Sequence, residues 1–165
     1  MDTSAWLNTD RRIFDIFSSN LETGVIDTIE SNSKKIEDDF ETCLGLTPYD
    51  KHQGHTGEQI ENRVFHSDTK ESGDYYKITT GSGIERFRMT WEGGEWIKYG
   101  DWLGSPREKR FFTEPRCVVR QIVSRDSRGI NAAYTNQTLF HTQIGFVLLP
   151  KNGDEQAARN LSGIL

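Results

Sequence analysis

From Lys98 to Ile122 the chain reads KYGDWLGSPREKRFFTEPRCVVRQI, and its punctuation forbids a long helix. Pro106 and Pro115 each remove an amide donor and fix φ, while Gly100 and Gly104 mark points where the backbone turns sharply or approaches a ligand. Between these breaks Tyr99, Trp102, Phe111 and Phe112 alternate with Lys98, Arg107, Lys109, Arg110, Arg116 and Arg120. Past the second proline, 117–123 is β-branched and predicts a strand, its apolar pattern interrupted by Arg120 and Gln121. Arg and Gln both bond two groups at once, on phosphates or on base edges.

The rest of the chain fits around that strand. Residues 129–135 and 138–149 are further strand candidates, separated from 117–123 by the Asp126-Ser127-Arg128-Gly129 turn. Upstream, 40–46 and Tyr75 to Ile78 read as strands, and 84–91 with 95–99, joined by Glu92-Gly93-Gly94, predict a hairpin. Residues 5–29 repeat apolar side chains at helical steps and lead into a polar connector, Ser31 to Lys35. Asn152-Gly153-Asp154 caps a helix from Glu155 to Leu165 with Ala157, Ala158, Leu161 and Leu165 on one face. The pattern predicts an α+β fold: a twisted, mostly antiparallel sheet with flanking helices at both ends of the chain. At 165 residues it reads as one domain, 1–165, with 1–39 as a helical lead-in.

Charge is unevenly spread. The net charge is −5, but 1–80 holds 8 Lys and Arg against 16 Asp and Glu, while 81–165 holds 12 against 9. The nine Phe, five Tyr and four Trp argue for a packed core rather than disorder. No apolar run approaches the ~20 residues of a membrane helix, and the N-terminus lacks the order of a signal peptide; both predict a cytoplasmic chain. Cys43 and Cys117 lie far apart with no CxxC and read as two buried thiols. The polar stretch 50–74 reads as a long loop, and its His52, His55 and His66 as solvent-exposed histidines rather than metal ligands, since no third ligand stands at motif spacing.

The ordered run Tyr99-Gly100-x-Trp102-Leu103-x-x-Pro106-Arg107, Phe111-Phe112, Pro115-Arg116-x-Val118-Val119-Arg120-Gln121-Ile122 resembles the TaqI-type C-terminal specificity domain, the target-recognition module of type II restriction–modification enzymes and adenine-specific DNA methyltransferases. Gly45-Leu46-Thr47-Pro48-Tyr49 is similar to the G-L-x-P-Y element that opens that domain, and Asn62 to His66 has a counterpart in its insertion. The family's R-G-x-D-I-x-R-Y element is altered: its first arginine falls on Thr79 or Thr80 and its aspartate on Gly83, while Arg86 is kept. The resemblance covers 40–165 and stops one residue short of the family's N-S-x-L element, as expected of a domain excised from a longer polypeptide.

What the resemblance implies is sequence-specific recognition of double-stranded DNA by 98–136, with catalysis in an N-terminal domain of the same polypeptide. The expected DNA contacts are Arg86, Lys98, Tyr99, Arg107, Lys109, Arg110, Arg116, Gln121, Arg125, Arg128, Tyr134 and Asn136. Neighbours on a strand point to opposite faces, so Gln121 is assigned to DNA and Arg120 to an internal partner. Trp102, Phe111 and Phe112 are assigned to the core. The chain has no NPPY-like motif to hold a flipped adenine, and Asp68-Thr69-Lys70 has nuclease-like spacing only in polar sequence, so the segment itself is not read as an enzyme. S-adenosylmethionine and Mg²⁺ are implied for the parent enzyme alone. The alternative is a non-catalytic protein-interaction or scaffold domain that works through the acidic first half.

Overall fold

The computed structural model describes residues 20–122 and 129–165, with side chains from Gly24 onward in the first of these segments. The chain divides into two units, 1–38 and 39–165. In the first, helix α1 (Asn20–Asn32) takes in two residues expected of the connector and exposes Val25, Ile26 and Ile29. A single turn, α2 (Ile36–Asp39), precedes the second unit in sequence.

The second unit is α+β, as the sequence predicts. Its described strands are β1 (Phe40–Leu44), β2 (His66–Ser67), β3 (Tyr75–Thr79), β4 (Ile84–Glu85), β5 (Arg88–Met89), β6 (Trp96–Lys98), β7 (Arg116–Arg120), β8 (Ala132–Thr135), β9 (Phe140–His141) and β10 (Gly145–Pro150). Its helices are α3 (Gly57–Glu61), α4 (Arg110–Thr113) and α5 (Glu155–Ile164). One sheet runs β1-β10-β7-β8 and is antiparallel throughout. A second runs β2-β6-β3-β9, with β3 and β9 parallel. β4 and β5 form a small ribbon of their own.

Alternation along β7 sorts its neighbours into layers. Cys117 faces a cluster with Phe40, Ala132 and Leu148, against which α5 lays Ala157, Leu161 and Leu165. Val118 faces the other way, into a cluster with Ala133, Leu139 and the ribbon residues Ile84 and Met89. From β10, Val147 and Leu149 join Ile78, Ile97, Phe112 and Phe140 of the second layer. Each fully buried side chain of this kind contributes about 1.5–3 kcal/mol. The start of α5 is fixed by Asp154, whose carboxylate accepts from Gln156 N and Ala157 N at 2.9 and 3.2 Å, a cap worth about 1 kcal/mol.

Several expectations change. The 84–99 hairpin does not form as one unit: Trp96–Lys98 pairs with β2 and β3, while Ile84–Glu85 turns back on Arg88–Met89. Residues 50–74 are not a bare loop. Thr56 and Gln59 form a reciprocal capping box that starts α3. His55 accepts from Asp50 N at Nδ1 and holds the Trp102 carbonyl at Nε2, both at 2.8 Å. The His66 ring stacks on Tyr49, whose hydroxyl lies 2.8 Å from its Nδ1. These two histidines are braces, not exposed loop residues. Burial holds His66 near pKa 4, neutral at ordinary pH.

Candidate nucleic-acid interface

β7 has two ends, and its arginines meet opposite surroundings there. Arg116 pairs with Thr135 at the first end; Arg120 pairs with Gly145 at the other. Arg116 is fully buried, at 0% exposure. Its guanidinium donates to three carbonyls, Glu114 O at 2.8 Å, Gln137 O at 3.1 Å and Leu139 O at 2.8 Å. Among the described residues it has no carboxylate partner, and burial pulls its pKa down to about 10. Arg116 therefore ties the Glu114 bend to the chain after β8 and is withdrawn from the expected DNA contacts.

Two more expected contacts are occupied by the fold. Arg110 grips both oxygens of Glu41, at 3.0 and 2.6 Å, and reaches Glu108 at 2.8 Å. These bonds raise the arginine's pKa and lower that of Glu41. Tyr134 donates to Glu155 of α5 at 2.5 Å, with the Arg159 guanidinium 4.0 Å over its ring. Asn136 is exposed, but it follows β8 at the Arg116 end.

Tyr99, Arg107 and Lys109 do come together, around Tyr76, while Lys98, paired with Tyr75, lies on the other face. Lys109 donates to the Tyr76 hydroxyl at 2.6 Å, and Tyr99 packs edge-on against the Tyr76 ring. Tyr99 OH donates to Arg107 O at 2.6 Å. Lys98 lies between Asp74, at 4.0 Å, and the Trp102 ring, at 5.2 Å. Arg107 sits at φ +61 with its Nε buried and unpaired, a conformation costing on the order of 1–3 kcal/mol. Phe111 and Phe112 are core as expected, but Trp102 is 42% exposed, because its indole lies on the surface beside Lys98.

At the other end of β7 the described surroundings differ. Backbone bonds from Arg120 N to Asn131 O (2.8 Å) and from Gln121 N to Ile144 O (2.7 Å) place these residues between β8 and the turn before β10. The Arg120 guanidinium lies over Gly81 and has no hydrogen-bond or carboxylate partner among the described residues. The internal partner expected for it is not found among the described residues. Gln121 is exposed, with its amide unpartnered among the described residues. It borders a shallow depression of ≈ 330 Å³ whose rim includes Thr47, Pro48, Ile122, Gln143 and Ile144. Gln143 donates to Thr47 Oγ1 at 2.6 Å, which leaves its carbonyl and second N–H outward.

Glycine chemistry shapes this rim. A Cβ on Gly45 would lie 1.9 Å from Thr142 O, so the G-L-x-P-Y element enters the site only as glycine. At Gly83, where the resembled family has aspartate, a Cβ would strike Thr79 Oγ1 at 1.9 Å. No acidic side chain fits there, and among the described residues Arg86 has no carboxylate partner. It stands on the β4–β5 turn, beside β8 through Phe87 N to Ala132 O at 2.7 Å. The nearby carboxylates are engaged elsewhere: Glu85 pairs with Arg88, and Glu92 accepts from Ser82 at 2.8 Å and Thr80 at 3.2 Å.

Among the described residues, the Arg120 end thus carries one guanidinium without a hydrogen-bond or carboxylate partner, Arg120 over Gly81, and two amides, Gln121 and Gln143, that border the depression; Arg86, its guanidinium against the Phe87 ring, stands on the β4–β5 turn and is not part of that lining. The sequence assigned Arg120 to an internal partner and did not single out Gln143. The polar Thr142-Gln143 pair interrupting the apolar run 138–149 was the available signal for the latter. Arg125 and Arg128 lie outside the described residues. No group of three or more His, Cys, Asp and Glu is placed to hold a metal among the described residues, and no helix among them is long and apolar enough to cross a membrane. No protein-family model matches the chain, and no curated protein matches it.

Proposed function

We propose that residues 39–165 form the sequence-specific double-stranded DNA recognition domain of a type II (type IIG-like) restriction–modification enzyme or N6-adenine DNA methyltransferase, acting in the cytoplasm. The observation that carries the reading is the rim at the Arg120 end of β7. There, among the described residues, Arg120 has no hydrogen-bond or carboxylate partner and the amides of Gln121 and Gln143 border one depression, in a protein of net charge −5, while Arg86 stands on the β4–β5 turn that bonds Ala132 of β8. Guanidiniums without a carboxylate partner are free to take phosphate oxygens or guanine O6 and N7. A glutamine amide matches adenine N6 and N7, while the methyls of Ile122 and Ile144 suit the thymine 5-methyl. The domain binds and does no chemistry itself. S-adenosylmethionine and Mg²⁺ belong to an N-terminal catalytic domain of the same polypeptide.

Selection of this chain against a randomised duplex pool, at low and physiological salt, tests the reading. Enrichment of one short motif is expected, with affinity that falls as salt rises. A second reading, a protein-interaction module working through the acidic first half, is favoured by the exposed Val25, Ile26 and Ile29 of α1. Under that reading no duplex binds, even at low salt.

A further inference from the structure

The β4–β5 ribbon ends in a two-residue turn. Glu85 pairs with Arg88, so Arg86 and Phe87 alone make the connection. Phe87 sits at φ +66 and Arg86 does not have positive φ. This is the pattern of a type II turn, whose third position belongs by preference to glycine or asparagine. A phenylalanine there is strained, and its ring gains little packing in exchange: it is 57% exposed and belongs to none of the core clusters. The ribbon's apolar burial comes instead from Ile84 and Met89, at 0% and 6% exposure.

The tip is nonetheless held firmly. Phe87 N bonds Ala132 O at 2.7 Å, and the Glu85–Arg88 ion pair clamps the two strands behind it. The Arg86 guanidinium stands 5.0 Å from the Phe87 ring centroid. A rigid mount, a strained backbone and an outward aromatic ring form a combination that serves a ligand rather than the fold. The neighbours indicate which ligand. Phe87 N bonds Ala132 O and Arg120 N bonds the adjacent Asn131 O, so the tip backbone meets β8 next to the residue that pairs with Arg120, and the cation beside the ring is Arg86.

We propose that Phe87 is a wedge that inserts at a base step of the bound duplex and unstacks it, with Arg86 on an adjacent phosphate. This rests on the DNA-recognition reading above. Aromatic and aliphatic side chains mounted beside cations open base steps in this way, and the deformability of the step then contributes to sequence choice.

The test uses the duplex selected from the random pool, with 2-aminopurine substituted at successive positions. Three chains are compared: the native chain, Phe87→Gly and Phe87→Tyr. The native chain should raise 2-aminopurine fluorescence at one step. Phe87→Gly should abolish that rise and weaken binding roughly tenfold, as loss of one base–aromatic stack does. Its unfolding midpoint should nonetheless hold or rise, because glycine relieves the positive φ. Phe87→Tyr should keep both the fluorescence and the affinity. Binding by the native chain with no fluorescence change at any position overturns the wedge and leaves DNA recognition standing. A lowered midpoint for Phe87→Gly also overturns it, by returning the ring to the fold. Failure of the native chain to bind any duplex at low salt overturns wedge and recognition together.

Discussion

The two ends of β7 carry the same residue type to opposite effect. Arg116 is sealed inside with three carbonyls, whereas Arg120, roughly 13 Å along the strand, has no partner among the described residues. Both side chains point to the same face of the sheet, since they are four residues apart. What differs is the surrounding backbone. At the Arg116 end, the Glu114 bend and the chain after β8 bring carbonyls together that need a donor. At the Arg120 end, Gly81 lies against the guanidinium, and no carbonyl among the described residues accepts from it. A basic run is therefore not one surface, and an arginine's role follows from the backbone acceptors near it.

The comparison breaks most directly at Arg116. Arg116→Met should cost about 3–5 kcal/mol in urea unfolding, because it leaves buried carbonyls without a donor. Arg116→Lys should recover only part, since an ammonium cannot reproduce the fork. A loss under ~1 kcal/mol for Arg116→Met would show that the interior end does not depend on this residue.

Next in size is a pH effect in the same core. His141 is fully buried, and burial, with the Arg116 charge adding to it, holds its pKa near 4. The unfolded chain takes up a proton near pH 6.5 and the folded chain does not. Stability is then full above pH 6.5 and falls as pH drops toward 4, by about 3 kcal/mol from this group. Urea titrations at pH 7.5 and 4.5 measure it. His66, displaced in the same direction, adds a smaller loss over the same window, and His66→Gln should remove that share.

At the Arg120 end the effects belong to binding. Gln121→Ala should weaken binding to the selected duplex by ~1–3 kcal/mol and relax choice at one position, with folding stability changed by less than about 0.5 kcal/mol. Arg120→Ala should reduce the slope of log affinity against log salt by about one if it meets a phosphate. Arg110→Ala, whose guanidinium is engaged by Glu41 and Glu108, should leave that slope unchanged. A slope change at Arg110 with none at Arg120 would reverse the assignment of the two ends.

Much of the scaffold was legible where the signal is local. The Asp154 cap and the apolar face of α5 follow from adjacent residues, as does the β-branched strand, expected over 117–123 and found at Arg116–Arg120; the bend at Gly93-Gly94, both glycines at positive φ, was also legible, though it does not close the expected hairpin. Pairing partners were less legible. The alternation at 84–99 describes strands without saying which strand each will meet, and β6 found β2 and β3 rather than β5. The capping box at Thr56–Gln59 was present in sequence but hidden in polar composition. The candidate site was the hardest part. Nothing near Pro115 distinguishes an arginine that will feed core carbonyls from one that will face solvent. Phe87 stands out only after folding brings it beside Ala132, and the polar break at Gln143 gains a meaning only once it borders the same depression as Gln121.

Hydrogen–deuterium exchange of the chain with and without the selected duplex tests the central claim, that the Arg120 end of β7 is the face that meets DNA. The account predicts new protection at 85–88, 119–122 and 142–145, with 107–113 and 136–138 unchanged. Protection confined to 107–113 and 136–138 would place the DNA at the Arg116 end and contradict it.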